Sequence, residues 1–278
     1  HSNQFSVTTW VRDGPGFYQR IISNSFGAAC AVQGVDLDGD GDGDIVAAAG
    51  QAGDISWWEN DGTQNFIEHL VAGDFGYPTD VEAVDLDHDG DVDIIAASGS
   101  SVVGHGIQWW ENDGAQGFTQ RRISAEGDFP WASCLDVIDV DGDGDVDVLG
   151  AAVNDDEFAW WENDGTETFT KHELPSLYDA YHIRGVDLDA DGDIDFLGAN
   201  IGGIIVWWEN DGAQVFARHD TAFAHIDVRR VEPADMDGDG DTDVVASAYY
   251  GSNLVWYEND GAAGFTQHVI TDEFTASG

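Results

Sequence analysis

Basic residues are scarce in this chain. Lysine and arginine together number 9 against 55 aspartates and glutamates, and Lys171 is the only lysine. A formal net charge of −46 excludes the basic footprint that nucleic acid requires, so no nucleic-acid partner is expected. Long apolar runs are missing, so no membrane span is expected. Cysteine is nearly absent: only Cys30 and Cys134 occur, in non-adjacent repeats whose Cα atoms rarely come within disulfide range. Both are expected to be free and buried. Familiar catalytic signatures are missing too. There is no G-x-S-x-G, no H-E-x-x-H, no phosphate loop and no dinucleotide fingerprint. The chain begins at His1 and not at Met, which suggests a processed or trimmed chain.

What the chain has in excess is aspartate, arranged in one pattern. D-x-D-x-D-G-D-x-D occurs five times, with starts 49, 54, 48 and 48 residues apart. The copies place Asp36, Asp38, Asp40, Asp42 and Asp44 in the first loop, and Asp85, Asp87, Asp89, Asp91 and Asp93 in the second. The third holds Asp139, Asp141, Asp143, Asp145 and Asp147, and the fourth Asp187, Asp189, Asp191, Asp193 and Asp195. Asp235, Asp237, Asp239, Asp241 and Asp243 form the fifth. Carboxylates packed this densely repel one another unless a hard cation sits among them, and oxygen-rich loops suit Ca²⁺. About five structural calcium ions are expected. Side chains at loop positions one, three, five and nine are expected to converge, with the position-seven carbonyl as a further ligand and its side chain turned outward. Position six is glycine in every copy, which allows the sharp turn.

A helical calcium loop needs a Glu at position twelve between two helices. Here position twelve is Ala47, Ala96, Gly150, Gly198 or Ala246, inside short apolar runs that read as buried strands. A second repeating block follows each loop: Trp57-Trp58-Glu59-Asn60-Asp61-Gly62 and its counterparts at 109–114, 160–165, 207–212 and 256–261, the last with Tyr257 for the second Trp. Nine residues after each first Trp stands Phe66, Phe118, Phe169, Phe216 or Phe265. This spacing predicts a hairpin with Asn-Asp-Gly as its turn signal. Each unit then has four strands, and repetition near fifty residues predicts an all-β fold, a β-propeller of four-stranded antiparallel blades. One propeller domain over residues 1–278 is expected, with repeats at about 23–71, 72–123, 124–174, 175–221 and 222–270. Residues 1–22, from Phe5 through Gly14 to Ile22, read as an extra hairpin beside five blades; six sectors with one split blade is the alternative. The tryptophans are expected to pack between blades, the alternative being that some second Trp of a pair is exposed to stack on a sugar.

The five aspartate loops and the W-W-E-N-D-G blocks resemble the FG-GAP/VCBS repeat family of calcium-binding β-propellers, which includes integrin α-subunit heads, fungal lectins and domains of bacterial secreted proteins. The resemblance covers about residues 31–270. It implies a secreted or extracellular module, and calcium-filled loops agree with such a setting.

Function is expected where the repeat departs from itself. Five places before each loop stand Ala31, Asp80, Cys134, His182 and Arg230; three places before stand Gln33, Glu82, Asp136, Arg184 and Glu232. The apolar residue between them, Val32, Val81, Leu135, Ile183 or Val231, reads as uniform packing. Tyr181 and Arg229 stand beside these positions. Asp80, Glu82, Asp136, Tyr181, His182, Arg184, Arg229, Arg230 and Glu232 are thus either a polar pocket at a channel mouth or a salt-bridge network that staples the inner strands. His69, His172, His219 and His268 share one place on the outer strand, where Arg121 replaces the imidazole, and read as packing or surface residues. The expected activity is binding of carbohydrate or of an extracellular glycan or protein ligand by a monomer. Two alternatives are a polysaccharide lyase or glycosidase acting at the mouth, and a scaffold domain of a larger protein.

Overall fold

The computed structural model describes residues 7–13, 16–101, 105–175, 178–221, 227–249, 254–261 and 264–271. His1, Phe5 and Gly14, which figure in the sequence reading, lie outside them. By its internal contacts the chain forms two compact units, His1–Ala132 and Ser133–Gly278.

The first unit opens with a hairpin, β1 (Val7–Asp13) and β2 (Gly16–Ser23). Two four-stranded antiparallel sheets follow. The first blade is β3 (Ala29–Val35), β4 (Asp44–Ala49), β5 (Asp54–Asn60) and β6 (Phe66–Ala72). The second is β7 (Pro78–Val84), β8 (Asp93–Ser98), β9 (Ile107–Asn112) and β10 (Phe118–Arg122). The remaining strands form three more such blades: β11 (Ala132–Ile138) to β14 (Phe169–Glu173) through β12 (Asp147–Ala152) and β13 (Glu157–Asn163); β15 (Ala180–Val186), β16 (Asp195–Asn200), β17 (Ile205–Asn210) and β18 (Phe216–Thr221); and β19 (Val228–Ala234), β20 (Asp243–Ala248), β21 (Leu254–Asn259) and β22 (Phe265–Thr271). Every blade is a meander in sequence order, the strand pattern of a propeller blade.

The Trp pair explains how blades stack. Adjacent strand residues point to opposite faces, so the two rings of one pair enter two different cores. Trp57 of the first blade and Trp110 of the second share one core with Val46, Ala48, Val81 and Ile94. Trp160 and Trp208 meet in the same way in the second unit, as do Trp207 and Tyr257. Trp58 turns to the other face of the first blade, where Phe26 and Ile22 cover it. The N-terminal hairpin therefore leads directly into the cover of that face. All five second aromatics are exposed by 2% or less, so none is free to stack on a sugar as the alternative required. Loss of one such ring is expected to cost about 3–5 kcal/mol.

The expected packing residue on the innermost strand holds with one exception. Val81, Ile183 and Val231 pack on the preceding blade. Val32 is 65% exposed, because β3 opens the series within its unit. Cys30 also differs from expectation. Both cysteines are free, but only Cys134 is buried. Cys30 is exposed as a residue while its Sγ donates inward to the carbonyls of Pro78 (3.1 Å) and Ala48 (3.4 Å).

Candidate functional site

Each aspartate loop joins the first strand of a blade to the second, and its odd positions fold the chain by local hydrogen bonds. Position one accepts from the position-six glycine amide: Asp36 from Gly41 at 3.0 Å, and Asp85, Asp139 and Asp187 from Gly90, Gly144 and Gly192 at 3.1 Å. Position three accepts from the amide of position five, and position five from that of position seven, in all five copies. The position-six glycines have φ of 93–100° in all five copies, a left-handed conformation that penalises any Cβ.

Position nine is built differently. Asp44, Asp93, Asp147, Asp195 and Asp243 each begin the second strand and are buried. One oxygen accepts from the position-two amide, as in Val140 N to Asp147 at 2.8 Å. The other accepts from the asparagine that ends the Trp strand, as in Asn163 N to Asp147, also 2.8 Å. That asparagine completes the joint: its Nδ2 donates to the position-eight carbonyl, and its Oδ1 accepts from the glycine two residues on in four blades. Asn112 and Asn259 also donate to Leu37 and Leu188 in the loop of the preceding blade. The W-W-E-N-D-G block thus supports the loop as well as the turn, a link that is long-range in sequence.

The Asn-Asp-Gly signal does mark a hairpin, with a five-residue loop. In the first blade Asn60 pairs with Phe66, and Asp61 accepts from the amides of Thr63 (2.9 Å) and Asn65 (3.1 Å). The loop glycine leaves room for the position-seven aspartate. A Cβ at Gly62, Gly114, Gly165, Gly212 or Gly261 would collide with Asp42, Asp91, Asp145, Asp193 or Asp241. The position-seven carboxylates therefore lie under the hairpin turn of their own blade, where sequence reading had turned them outward.

Carboxylate oxygens converge in four loops to within 4.8 Å of one another. The trios are Asp36, Asp38 and Asp40; Asp85, Asp87 and Asp93; Asp139, Asp141 and Asp147; and Asp187, Asp189 and Asp195. Burial raises Asp93 and Asp147 to about 7 and Asp195 to about 6, with neighbouring carboxylates adding to the shift. Burial likewise raises Asp38, Asp87, Asp141 and Asp189. One oxygen each of Asp36, Asp85 and Asp187 is sealed from solvent without a hydrogen-bond partner. An orphaned anionic oxygen beside two more carboxylates fits a hard divalent cation held by oxygen ligands.

The innermost strands carry the other predicted residues. In the second unit Asp136, Arg184 and Glu232 stand at one register on β11, β15 and β19. Arg184 Nε lies 3.3 Å from Glu232, and its Nη1 lies 3.9 Å from Asp136 and donates to the carbonyls of Leu135 and Ile183 at 3.2 Å. Asp136 in turn accepts from Gly185 N at 2.8 Å. Burial raises the Asp136 pKa, against the pull of Arg184. His182 stands beside them, 3% exposed and 4.0 Å from Glu232. Neither of its ring nitrogens has a hydrogen-bond partner. Burial, then Arg184 and Arg230, hold its pKa well below the ordinary value. Arg230 is exposed, 3.8 Å from Glu232. Tyr181 and Arg229 form a separate cluster: Arg229 pairs with buried Asp227 at 2.8 Å and stacks between Tyr181 (5.0 Å) and Tyr249 (4.6 Å). Asp80 and Glu82 lie on β7 in the first unit, where Asp80 accepts from Val81 N at 3.1 Å.

Six places before the first three loops stand small residues whose shared role the sequence did not reveal. Thr79 Oγ1 donates to Ala97 (3.2 Å) and Ala132 (2.7 Å), and Ser133 Oγ to Ala151 (3.0 Å) and Tyr181 (2.8 Å), as Cys30 does with its thiol. A small donor staples the strands there in three blades. Tyr181 and Arg229 replace it in the last two, and that substitution was the available signal.

The outer histidines form one repeated unit. His69, His172, His219 and His268 stack on Trp57, Trp160, Trp207 and Trp256 at 4.4–4.7 Å between ring centroids, the closest being His172 and the farthest His219. Each bonds the glutamate two residues past that Trp, at 2.9, 2.7, 2.6 and 2.5 Å. Arg121 takes the same place over Trp109 and on Glu111.

A cleft of about 380 Å³ opens in the first unit, lined by Phe75, His105, Gln108, Trp110, Phe118 and Gln120 among others. Gln120 donates to Gln108 at 2.5 Å, and His105 Nδ1 donates to the Phe75 carbonyl at 2.8 Å. The sequence reading passed over this cleft, although Gln108 departs from Ser56, Ala159, Val206 and Val255 at the same place in the repeat.

Among the described residues, no helix is long and apolar enough to cross a membrane. No curated protein matches the chain in sequence. In structure the chain is similar to a protein from Lactobacillus plantarum, at 14% identity and a TM-score of 0.66, over 96% of this chain and 78% of that one. It is also similar to BBS1N, crystallised in complex with ARL6DN and soaked with lead, at 13% identity and a TM-score of 0.56, over 87% and 67% of the two chains. At such identities the likeness concerns the fold alone. The family model of the FG-GAP-like repeat matches residues 36–96, 139–198 and 187–246, more than half of the chain, and these stretches hold all five aspartate loops. The chain belongs to the FG-GAP repeat family of β-propellers.

Proposed function

We propose that this protein is a secreted, monomeric, calcium-stabilised propeller module that binds carbohydrate. About five Ca²⁺ ions occupy the aspartate loops and are structural. The orphaned oxygens of Asp36, Asp85 and Asp187 support this, since buried anionic oxygen left unpaired is costly. Calcium at extracellular concentrations fills such loops.

The cleft in the first unit is the observation that carries carbohydrate binding. Its volume of about 380 Å³ accepts a sugar residue, and it joins aromatic surface at Phe118 to a pair of amides. The amides are a departure from the repeat. The residues matching Gln108 are Ser56, Ala159, Val206 and Val255, and those matching Gln120 are Glu68, Lys171, Arg218 and Gln267. Only the second blade pairs two amides at this place. The test is a glycan array in calcium buffer, repeated with Gln120→Ala. Bound glycans that lose about tenfold in affinity in the variant support the reading; an empty array, or one unchanged by the variant, overturns it.

A second reading, cleavage of an acidic polysaccharide, rests on His182, whose two buried nitrogens lack partners beside Arg184 and Arg230. Unsaturated products from a uronate polymer, lost in His182→Ala, would favour it; no absorbance change with the native protein removes it.

A further inference from the structure

Gln116 lies in the hairpin turn of the second blade, and its Nε2 donates to Asp38 in the loop of the first blade at 3.3 Å. The backbone that presents it is in the left-handed region, φ 64°, unfavourable for a residue with a side chain. Asp113 holds it there by accepting from the amides of Ala115 and Gly117, both at 2.9 Å. Gln214 occupies the same place in the fourth blade, with φ 57°. It lines a cavity of about 90 Å³ together with Asp139 and Asp141 of the third blade's loop. Gln64, the counterpart in the first blade, reaches back in the same sense and accepts from Arg20 of the N-terminal hairpin at 3.0 Å. The turn thus directs its side chain toward the element that precedes its blade.

From this placement we infer that Gln116 and Gln214 are calcium ligands in trans, for the first and third loops respectively. This rests on the reading of the loops as calcium sites. An amide carries its carbonyl and its NH₂ at nearly the same place, so a half-turn offers oxygen where nitrogen now faces Asp38. Ca²⁺ takes six to eight oxygens, and a neutral carbonyl adds one without adding to the crowded negative charge. The consequence is that the cation binds a docked pair of blades more tightly than a lone blade. It acts as a clasp between repeats as well as a brace within one.

Gln116→Gly separates this from a merely structural role, because glycine relieves the left-handed backbone while it removes the amide. In chelator the variant should keep or slightly raise the melting temperature; in calcium it should lose about 2–5 °C. Native mass spectrometry at a free calcium that just saturates the native protein should show one ion fewer. Gln116→Glu, a charged ligand, should restore the ion. Equal melting shifts in calcium and in chelator, or an unchanged ion count, overturn the inference and leave the calcium loops standing. A native protein that carries no calcium overturns both.

Discussion

The loop end of the blades and their innermost strands teach opposite lessons about repetition. At the loop end five copies are chemically alike, since each must solve the same problem: hold acidic oxygens together and tie them to the Trp strand. Position nine meets two backbone amides in every blade, and the asparagine that supplies one of them is the same residue each time. On the innermost strands the polar positions vary from blade to blade. Small donors at Cys30, Thr79 and Ser133 give way to Tyr181 and Arg229, and one register holds Gln33, Glu82, Asp136, Arg184 and Glu232 in turn. Identity marks what the fold demands of each blade; difference marks what single blades do.

Calcium removal should break this contrast most. One site filled a thousandfold above its dissociation constant adds about 4 kcal/mol to folding, so chelation should lower the melting temperature by more than about 10 °C, read by calorimetry. A melting curve indifferent to EDTA would defeat the calcium assignment. Asp147→Ala, measured in chelator to exclude the metal, strips two buried amides of their acceptor. It should cost about 2–6 kcal/mol in denaturant unfolding. On the inner strands Arg184→Met should cost about 3 kcal/mol because it leaves the half-buried Asp136 without its cationic partner. Exposed Arg230→Ala should stay within about 0.5 kcal/mol. Equal losses for the two arginines would show that the ladder is not the support it resembles.

The pH response sharpens the contrast further. Asp93, Asp147 and Asp195 sit in the fold at about 7, 7 and 6, above the ordinary 3.8, because burial disfavours their charge. A carboxyl raised on folding stabilises the fold while protonated, and that stability is lost as pH climbs through its folded value. Metal-free protein should therefore melt lower at pH 7.5 than at pH 5. With calcium the trend should reverse, since protons compete with the ion. A small effect is expected from His172→Ala, which removes a half-exposed ring stacked on Trp160 and bonded to Glu162; about 0.5–1 kcal/mol should be lost.

Much of this was legible in the residues. Five glycine-bearing loops, apolar runs after them and a Trp pair at fixed distance define four strands per repeat, because strand periodicity and turn chemistry are local. The fate of each Trp was less legible. Adjacent ring positions on a strand say that the two face apart, but only packing shows Trp57 meeting Trp110 while Trp58 meets Phe26. The position-seven aspartates were misjudged because Gly62 and its counterparts, about twenty residues on, make the space that receives them. Cys30 was misjudged for a related reason: an exposed residue can still bury its sulfur against a neighbouring strand.

The sequence by itself determined the repeat, the strand order within a blade and the acidic loops, since these follow from patterns within a few tens of residues. Tertiary structure alone decided that Arg184 is shared among carboxylates and carbonyls, that His182 is sealed without a hydrogen-bond partner, and that Gln116 reaches Asp38. Those are contacts between neighbouring blades. No local rule of propensity or periodicity encodes which side chain of one sheet will face a given atom of the next.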